Sequence, residues 1–179
     1  MLNLFFRVVL ALAVLVGLFL LIGSLLPRSF DTSTSVTIAA SPEEIFPHLN
    51  DLEKWQTWSP WNAHAIKDLT VEIGQTSSGV GATQTWKEQR GEGKLWITSV
   101  DEPNRVEFSS RFANFPEMQS SIVLTSAGDQ STQVTWTSRG ALPGGPFYGW
   151  FGMAFSTGLQ AEYSKALERL KSAVENKGE

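Results

Sequence analysis

The feature that most constrains this chain is an apolar run near its start. From Val8 to Leu26 there are 19 residues without a charge, interrupted only by Gly17, Gly23 and Ser24. As a helix rising 1.5 Å per residue, such a run covers about 28 Å, close to the apolar thickness of a bilayer. Leu4 to Phe6 lengthen it when Arg7 extends to the interface. A cleaved signal peptide has a shorter apolar region and ends in a small-x-small site. Here the run ends in Leu25-Leu26-Pro27-Arg28 with no Ala-x-Ala nearby, which favours an uncleaved transmembrane anchor over residues 1–28. The flanking charges, Arg7 before and Arg28 after, are nearly balanced. With the free amine they lean toward a cytoplasmic N-terminus, hence a single-pass protein with its soluble domain on the extracytoplasmic side.

Beyond the anchor, residues 29–179 hold all 18 acidic residues but 12 of the 14 basic ones, a net charge of −6. That balance, with no basic stripe, argues against nucleic acid as a partner. The chain has no cysteine, which excludes disulfides and thiol catalysis. The segment is long enough for one sizeable core and too short for two domains. The organisation expected is an anchor at 1–28, a Ser/Thr-rich linker at 29–35 and a single domain at 36–176.

Val36 to Ala39 alternates as a strand does. Ser41-Pro42-Glu43-Glu44 then reads as a capping box with Pro at the first helical position, opening a short helix whose apolar face is Ile45, Phe46 and Leu49. Asn50 and Glu53 repeat the spacing and suggest a second short helix through Trp55. Pro60 makes a loop of Trp55-Gln56-Thr57-Trp58-Ser59-Pro60-Trp61. Six strand-like segments follow: Leu69–Ile73, Ala82–Glu88, Lys94–Val100, Arg105–Phe112, Met118–Thr125 and Gln133–Ser138. Turn signals separate most of them, including Gly79-Val80-Gly81 and Gly91-Glu92-Gly93, and connections this short require antiparallel pairing. After Pro143-Gly144-Gly145-Pro146, an apolar stripe at Phe151, Phe155, Leu159, Tyr163, Ala166, Leu167, Leu170 and Val174 marks a long final helix.

In this order and spacing the elements resemble the SRPBCC superfamily, which includes START-related lipid-transfer domains, and most closely its polyketide cyclase/dehydrase-like branch. The residues carrying the resemblance are Ala40 to Phe46, Asn50-Asp51-Leu52, Trp58-Ser59-Pro60-Trp61, Gly79 to Ala82, Trp86, Gly91 to Gly93, Val134 to Trp136 and the helix at Leu167–Lys171. The resemblance covers about residues 36–176. It implies an α+β helix-grip fold: a curved antiparallel sheet around a long C-terminal helix, with a deep cavity between them. Members commonly hold lipids, polyketides or sterols there, and a minority catalyse reactions in it. Fold alone does not set function.

A cavity of that kind needs large apolar walls with few polar groups. Alternation along the strands and the helical stripe make Trp86, Trp96, Phe108, Phe112 and Trp136 candidates for its lining, with Phe151 and Phe155 from the helix. The same rings also serve plain core packing. Trp58 and Trp61, with Trp55, sit on a loop, where large apolar residues either gate a cavity mouth, touch a membrane interface or form a lid.

Catalytic groups are scarce. His48 and His64 are 16 residues apart with no cluster at metal spacing, so neither a metal nor another cofactor is indicated. His64 with Asp68 is the one candidate base pair. Glu72, Glu88 and Glu107 are placed to pair with Arg111 or Lys94 across the sheet. The glycine pairs lack the phosphate-loop pattern. The reading is a membrane-anchored binding domain for a hydrophobic or amphipathic small molecule, a lipid included. Its rivals are a cyclase- or hydrolase-like enzyme using the same cavity and an envelope adaptor acting through the Trp-rich loop.

Overall fold

The computed structural model describes residues 2–62, 66, 68–89, 91–128 and 130–176. Helix α1 (Leu2–Leu25) is long and apolar enough to cross a membrane, and its side chains are nearly all exposed. Strand β1 (Ser29–Ile38), helices α2 (Pro42–Asn50) and α3 (Trp55–Trp58), and strands β2 (Thr70–Ile73) and β3 (Thr83–Glu88) follow. Then come β4 (Gly91–Asp101), β5 (Arg105–Phe112), β6 (Met118–Gly128), β7 (Ser131–Ala141) and the long helix α4 (Pro146–Glu175).

Among the described residues, seven strands form one sheet in the order β1-β7-β6-β5-β4-β3-β2, each pair antiparallel. Sequential strands are neighbours from β2 to β7, and β1 closes on β7. The register shifts between Ile97 and Ser99 and between Ser126 and Gly128. Such irregularities bend a strand and increase its twist, helping the sheet curl around α4. The result is the helix-grip architecture expected, with one apolar helix in front of it.

Several boundaries differ from the sequence reading, and β6 and β7 run on to Gly128 and Ala141. Residues 29–35 are not a linker: they pair with β7 from Ser29 opposite Ala141 onward, burying Phe30 and Thr32 on alternate positions. Their Ser/Thr content suits a linker, but Thr also fits a pleated surface. The second short helix runs from Trp55 to Trp58 rather than ending at Trp55. Gly91 and Gly93 lie inside β4 rather than in a turn.

The capping signal at α2 is used as read, since the Ser41 N–H donates to the Glu44 carboxylate at 2.8 Å. Ile45, Phe46 and Leu49 are buried against the sheet. Gly145, at φ 123, turns the chain into α4, which starts on Pro146. The C-terminal half of α4 buries Tyr163, Ala166, Leu167, Leu170 and Val174 in the grip of the sheet. Its first turns instead pack against the end of α1.

Candidate ligand cavity

The middle of the grip is filled by rings. Trp55, Trp58, Phe108, Trp136 and Tyr163 are fully buried and packed on one another. This corrects the expectation of a Trp-rich surface loop. Trp55 and Trp58 lie three apart on one helical turn, which aims both indoles inward. Each indole N–H then needs a partner. Trp55 Nε1 donates to the Leu49 carbonyl at 2.9 Å, and Trp58 Nε1 donates to the His48 carbonyl at 3.1 Å.

Two polar side chains fix the segment from outside. Buried Gln84 donates to the Trp61 carbonyl at 3.0 Å and accepts from Gln56 Nε2 at 3.0 Å. Arg169 on α4 donates from Nε to the Trp58 carbonyl at 2.9 Å and from Nη2 to the Ser59 carbonyl at 3.3 Å.

The hollow lies to one side of this plug, toward the end of the sheet where β5 and β7 finish and β1 and β6 begin. It is an apolar cavity of about 280 Å³. Trp61 and Trp86, stacked at 5.5 Å, form its wall toward the core. Phe30, Phe112, Phe115, Pro116, Met118 and Ala141 form the sheet side, and Phe151, Phe155 and Leu159 the helix side. The Trp86 ring sits where a Cβ on Gly93 would be, so only glycine on the paired strand admits it. Phe155 is packed by Phe30 at 5.1 Å and by Phe115 at 6.2 Å. Ser110 and Arg111 are the polar residues of the lining. Arg111 is mostly exposed and pairs loosely with Glu117 at 3.7 Å.

Of the residues singled out from sequence, Trp61, Trp86, Phe112, Phe151 and Phe155 therefore face the cavity. Trp58, Phe108 and Trp136 are sealed in the plug. Trp96 is on the opposite face of the sheet, in a polar depression with Thr98, Glu107 and Arg139. The bulge after Ile97 does not rescue it, because Leu95 and Ile97 already occupy the inward positions around it. Phe30, Phe115 and Leu159 join the lining in addition. The linker reading hides Phe30 and a place between strands hides Phe115, whereas Leu159 is already visible in the helical stripe.

A buried ionisable group beside the cavity is Tyr163, one turn beyond Leu159. Its hydroxyl accepts from Ser138 at 3.1 Å, and Ser138 in turn contacts Ser120 at 2.6 Å. It donates toward Met118 Sδ at 3.7 Å. Burial pushes the phenol far above its usual ionisation range, with the Ser138 and Ser120 contacts opposing weakly. Tyr163 stays protonated at neutral pH and lies behind Met118, so it supplies no base to the cavity. His48 is buried on α2. His64 lies outside the described residues, so the His64–Asp68 pair carries no geometry. Glu107 pairs with Arg105 at 3.5 Å, not with Arg111 or Lys94. Among the described residues, no group of three or more His, Asp or Glu is placed to hold a metal ion.

A sequence model described as polyketide cyclase / dehydrase and lipid transport matches residues 29–175. The chain belongs to this family. The match begins at Ser29, which agrees with β1 starting there and not at residue 36. No curated protein matches the sequence. Solved structures similar to this family member include TTHA0849 from Thermus thermophilus, 19% identical with a TM-score of 0.64, covering 84% of this chain and 100% of that one. The Aha1 dimer from Colwellia psychrerythraea is 20% identical with a TM-score of 0.59, covering 84% and 99%. CalU16 from Micromonospora echinospora is 12% identical with a TM-score of 0.53, covering 80% and 77%. At these identities the likeness is one of fold.

Proposed function

We propose that this chain is a single-pass membrane protein whose domain holds an apolar or amphipathic small molecule in the cavity beside the tryptophan plug. The observation that carries the reading is the cavity itself: about 280 Å³ walled by aromatic and aliphatic side chains, with Ser110 and Arg111 as its polar groups. That composition suits a ligand recognised by shape and carbon content, since burial contributes about 25 cal/mol per Å² of apolar surface removed from water. The volume is at the lower edge of the roughly 300–1,000 Å³ typical of ligand sites. It matches one acyl chain or one compact ring system better than a two-chain lipid. Arg111 at the rim suits a guest whose head is polar or anionic.

Family membership supports ligand binding as the general role, and the apolar N-terminal helix supports the tether. An enzymatic role would need a titrating group in the lining; the protonated, screened Tyr163 does not provide a base. The adaptor reading needs an exposed aromatic loop, and Trp55 and Trp58 are buried. The test is native mass spectrometry of the intact chain extracted from its own membrane, joined to displacement of a fluorescent fatty acid. Bound small molecules and competitive displacement are expected. A chain that is repeatedly empty and inert to the fluorescent ligand would end the proposal.

A further inference from the structure

The first turns of α4 carry an apolar surface that the packing of the domain does not use. Between Arg139 and Glu162 the sequence has no charged residue. Phe147 is 66% exposed, Phe151 47% and Trp150 37%. Exposed rings in such density, on a segment without charges, mark an interaction surface rather than scattered surface hydrophobes.

The neighbour of this surface is the apolar helix α1. The two helices cross at Gly23 and Gly149: a Cβ on Gly149 would collide with the Gly23 carbonyl, and one on Gly23 with the Pro146 carbonyl. Small residues facing each other in this way let helix backbones approach closely. Trp150 lies flat on Phe19, ring centroids 5.1 Å apart and planes within 7°, and its Nε1 donates to the Phe19 carbonyl at 3.0 Å. Phe147 also approaches Phe19, ring centroids 6.1 Å apart and tilted by 56°.

Phe19 is six residues before the end of α1 at Leu25, so Trp150 is level with a point about 9 Å inside the helix terminus. Amphipathic segments lying in a bilayer interface bury their apolar side by about 5–10 Å, and indoles favour that depth. The cavity mouth belongs to the same end of the molecule. Phe151 and Phe155 follow Trp150 on α4, and the turn from Ala113 to Glu117 brackets the opening with Phe115 against Tyr148 and Phe155.

We propose that the start of α4 is inserted in the leaflet from which α1 emerges, so that the cavity opens to lipid and not to water. The proposal rests on the binding reading above and adds the source of the ligand: a molecule already partitioned into that leaflet. Entry by this path avoids exposing an apolar guest to water, which is the step a tether is suited to remove.

The absence of native cysteine allows a direct test on the full chain. Single variants Phe147→Cys, Asn114→Cys and Val80→Cys are labelled with an environment-sensitive fluorophore and reconstituted in phosphatidylcholine vesicles. Some of the vesicle lipids carry a nitroxide high on the acyl chain. Val80 is as exposed as Phe147, at 66%, but lies in the turn before β3, at the far end of the sheet. Quenching at position 147 about threefold or more above that at position 80, with a clear excess at 114, is the expected result. Equal quenching at all three positions overturns the proposal, and quenching at 147 without 114 overturns the lipid-facing mouth. The readout needs no ligand. An intact quenching pattern on a chain that binds no fatty acid would therefore count against the binding reading alone.

Discussion

Trp136 on β7 and Tyr163 on α4 stack face to face, ring centroids 4.0 Å apart and planes within 10°. This pair joins sheet to helix at the centre of the grip, and the rings of Trp55, Trp58 and Trp61 pack around it. The stack fills the middle of the grip and leaves the apolar hollow to one side of it. A helix-grip domain with small residues here would be open along its length. This one is closed at the middle, and what space remains is pushed toward α1.

The Tyr163 hydroxyl gives the first prediction. Tyr163→Phe keeps the stack but removes the acceptor of the Ser138 hydroxyl, at a cost of about 1 kcal/mol at neutral pH. Because burial raises the folded-state pKa, the unfolded chain ionises first, from about pH 10 upward. The stability associated with the neutral phenol is therefore complete below that pH and is lost as pH rises toward the folded value. Urea midpoints on either side of about pH 10 should fall more steeply for the native chain than for the Phe variant. Parallel falls would show that the phenol ionises in the folded protein as it does in water.

Arg169 gives the second. It ties α4 to the end of α3 through two carbonyls, Trp58 and Ser59, in a fork that lysine cannot reproduce. Arg169→Lys should cost about 1 kcal/mol, a modest value because the guanidinium is partly solvated. Amide exchange at residues 55–62 should quicken while exchange in β5–β7 changes little. Uniform acceleration across the sheet would mean that α3 is not a separately held unit.

Much of this fold is legible in the sequence because its signals are local and periodic. The strand-like runs mark seven strands, the first from Val36 onward, the Ser41–Glu44 box marks α2, and the stripe from Phe151 to Val174 marks α4. What is not legible depends on pairing between distant residues. Ser29 to Ser35 become a strand because β7 lies beside them, not because of their composition. Trp55, Trp58 and Trp61 read as a surface loop because Pro60 breaks the pattern. The three-residue spacing of the first two and the need of each indole N–H for a carbonyl are the signals for an inward turn. Alternation finds the faces of β3 and β5, so it puts Trp86 and Phe112 on the inward face. It cannot say where along a face a cavity begins, and Phe108 and Trp136 are filler for that reason.

Gly93 gives the third prediction, linking backbone to cavity. Its missing side chain is the space that the Trp86 ring occupies. Gly93→Ala forces the ring toward Trp61 and into the cavity, with an overpacking cost of about 1–3 kcal/mol. Fatty-acid affinity should drop together with stability, and the intrinsic fluorescence of the tryptophan cluster should shift. Unchanged affinity with lowered stability would place the guest away from the Trp61–Trp86 wall.

The last prediction separates cavity from fold. Ser110 is 4% exposed, sits between Leu95 and Met118 on the neighbouring strands, and looks into the hollow. Leucine there adds apolar volume toward empty space instead of toward packed atoms. Ser110→Leu should leave stability unchanged or raise it by about 0.5–1 kcal/mol, as cavity-filling changes do. The same carbon atoms take up room that a ligand would need, so fatty-acid affinity should fall by about tenfold or more, on the order of 1.4 kcal/mol. Ser121→Leu, on the outer face opposite Glu107 and Thr137, adds equal volume away from the cavity and should leave affinity alone. Isothermal titration beside thermal melts reads both quantities on each variant. A Ser110→Leu chain that melts as the native one does and binds as tightly would mean that the guest is held somewhere other than this hollow. A variant that fails to fold would mean that the hollow is smaller than its walls imply.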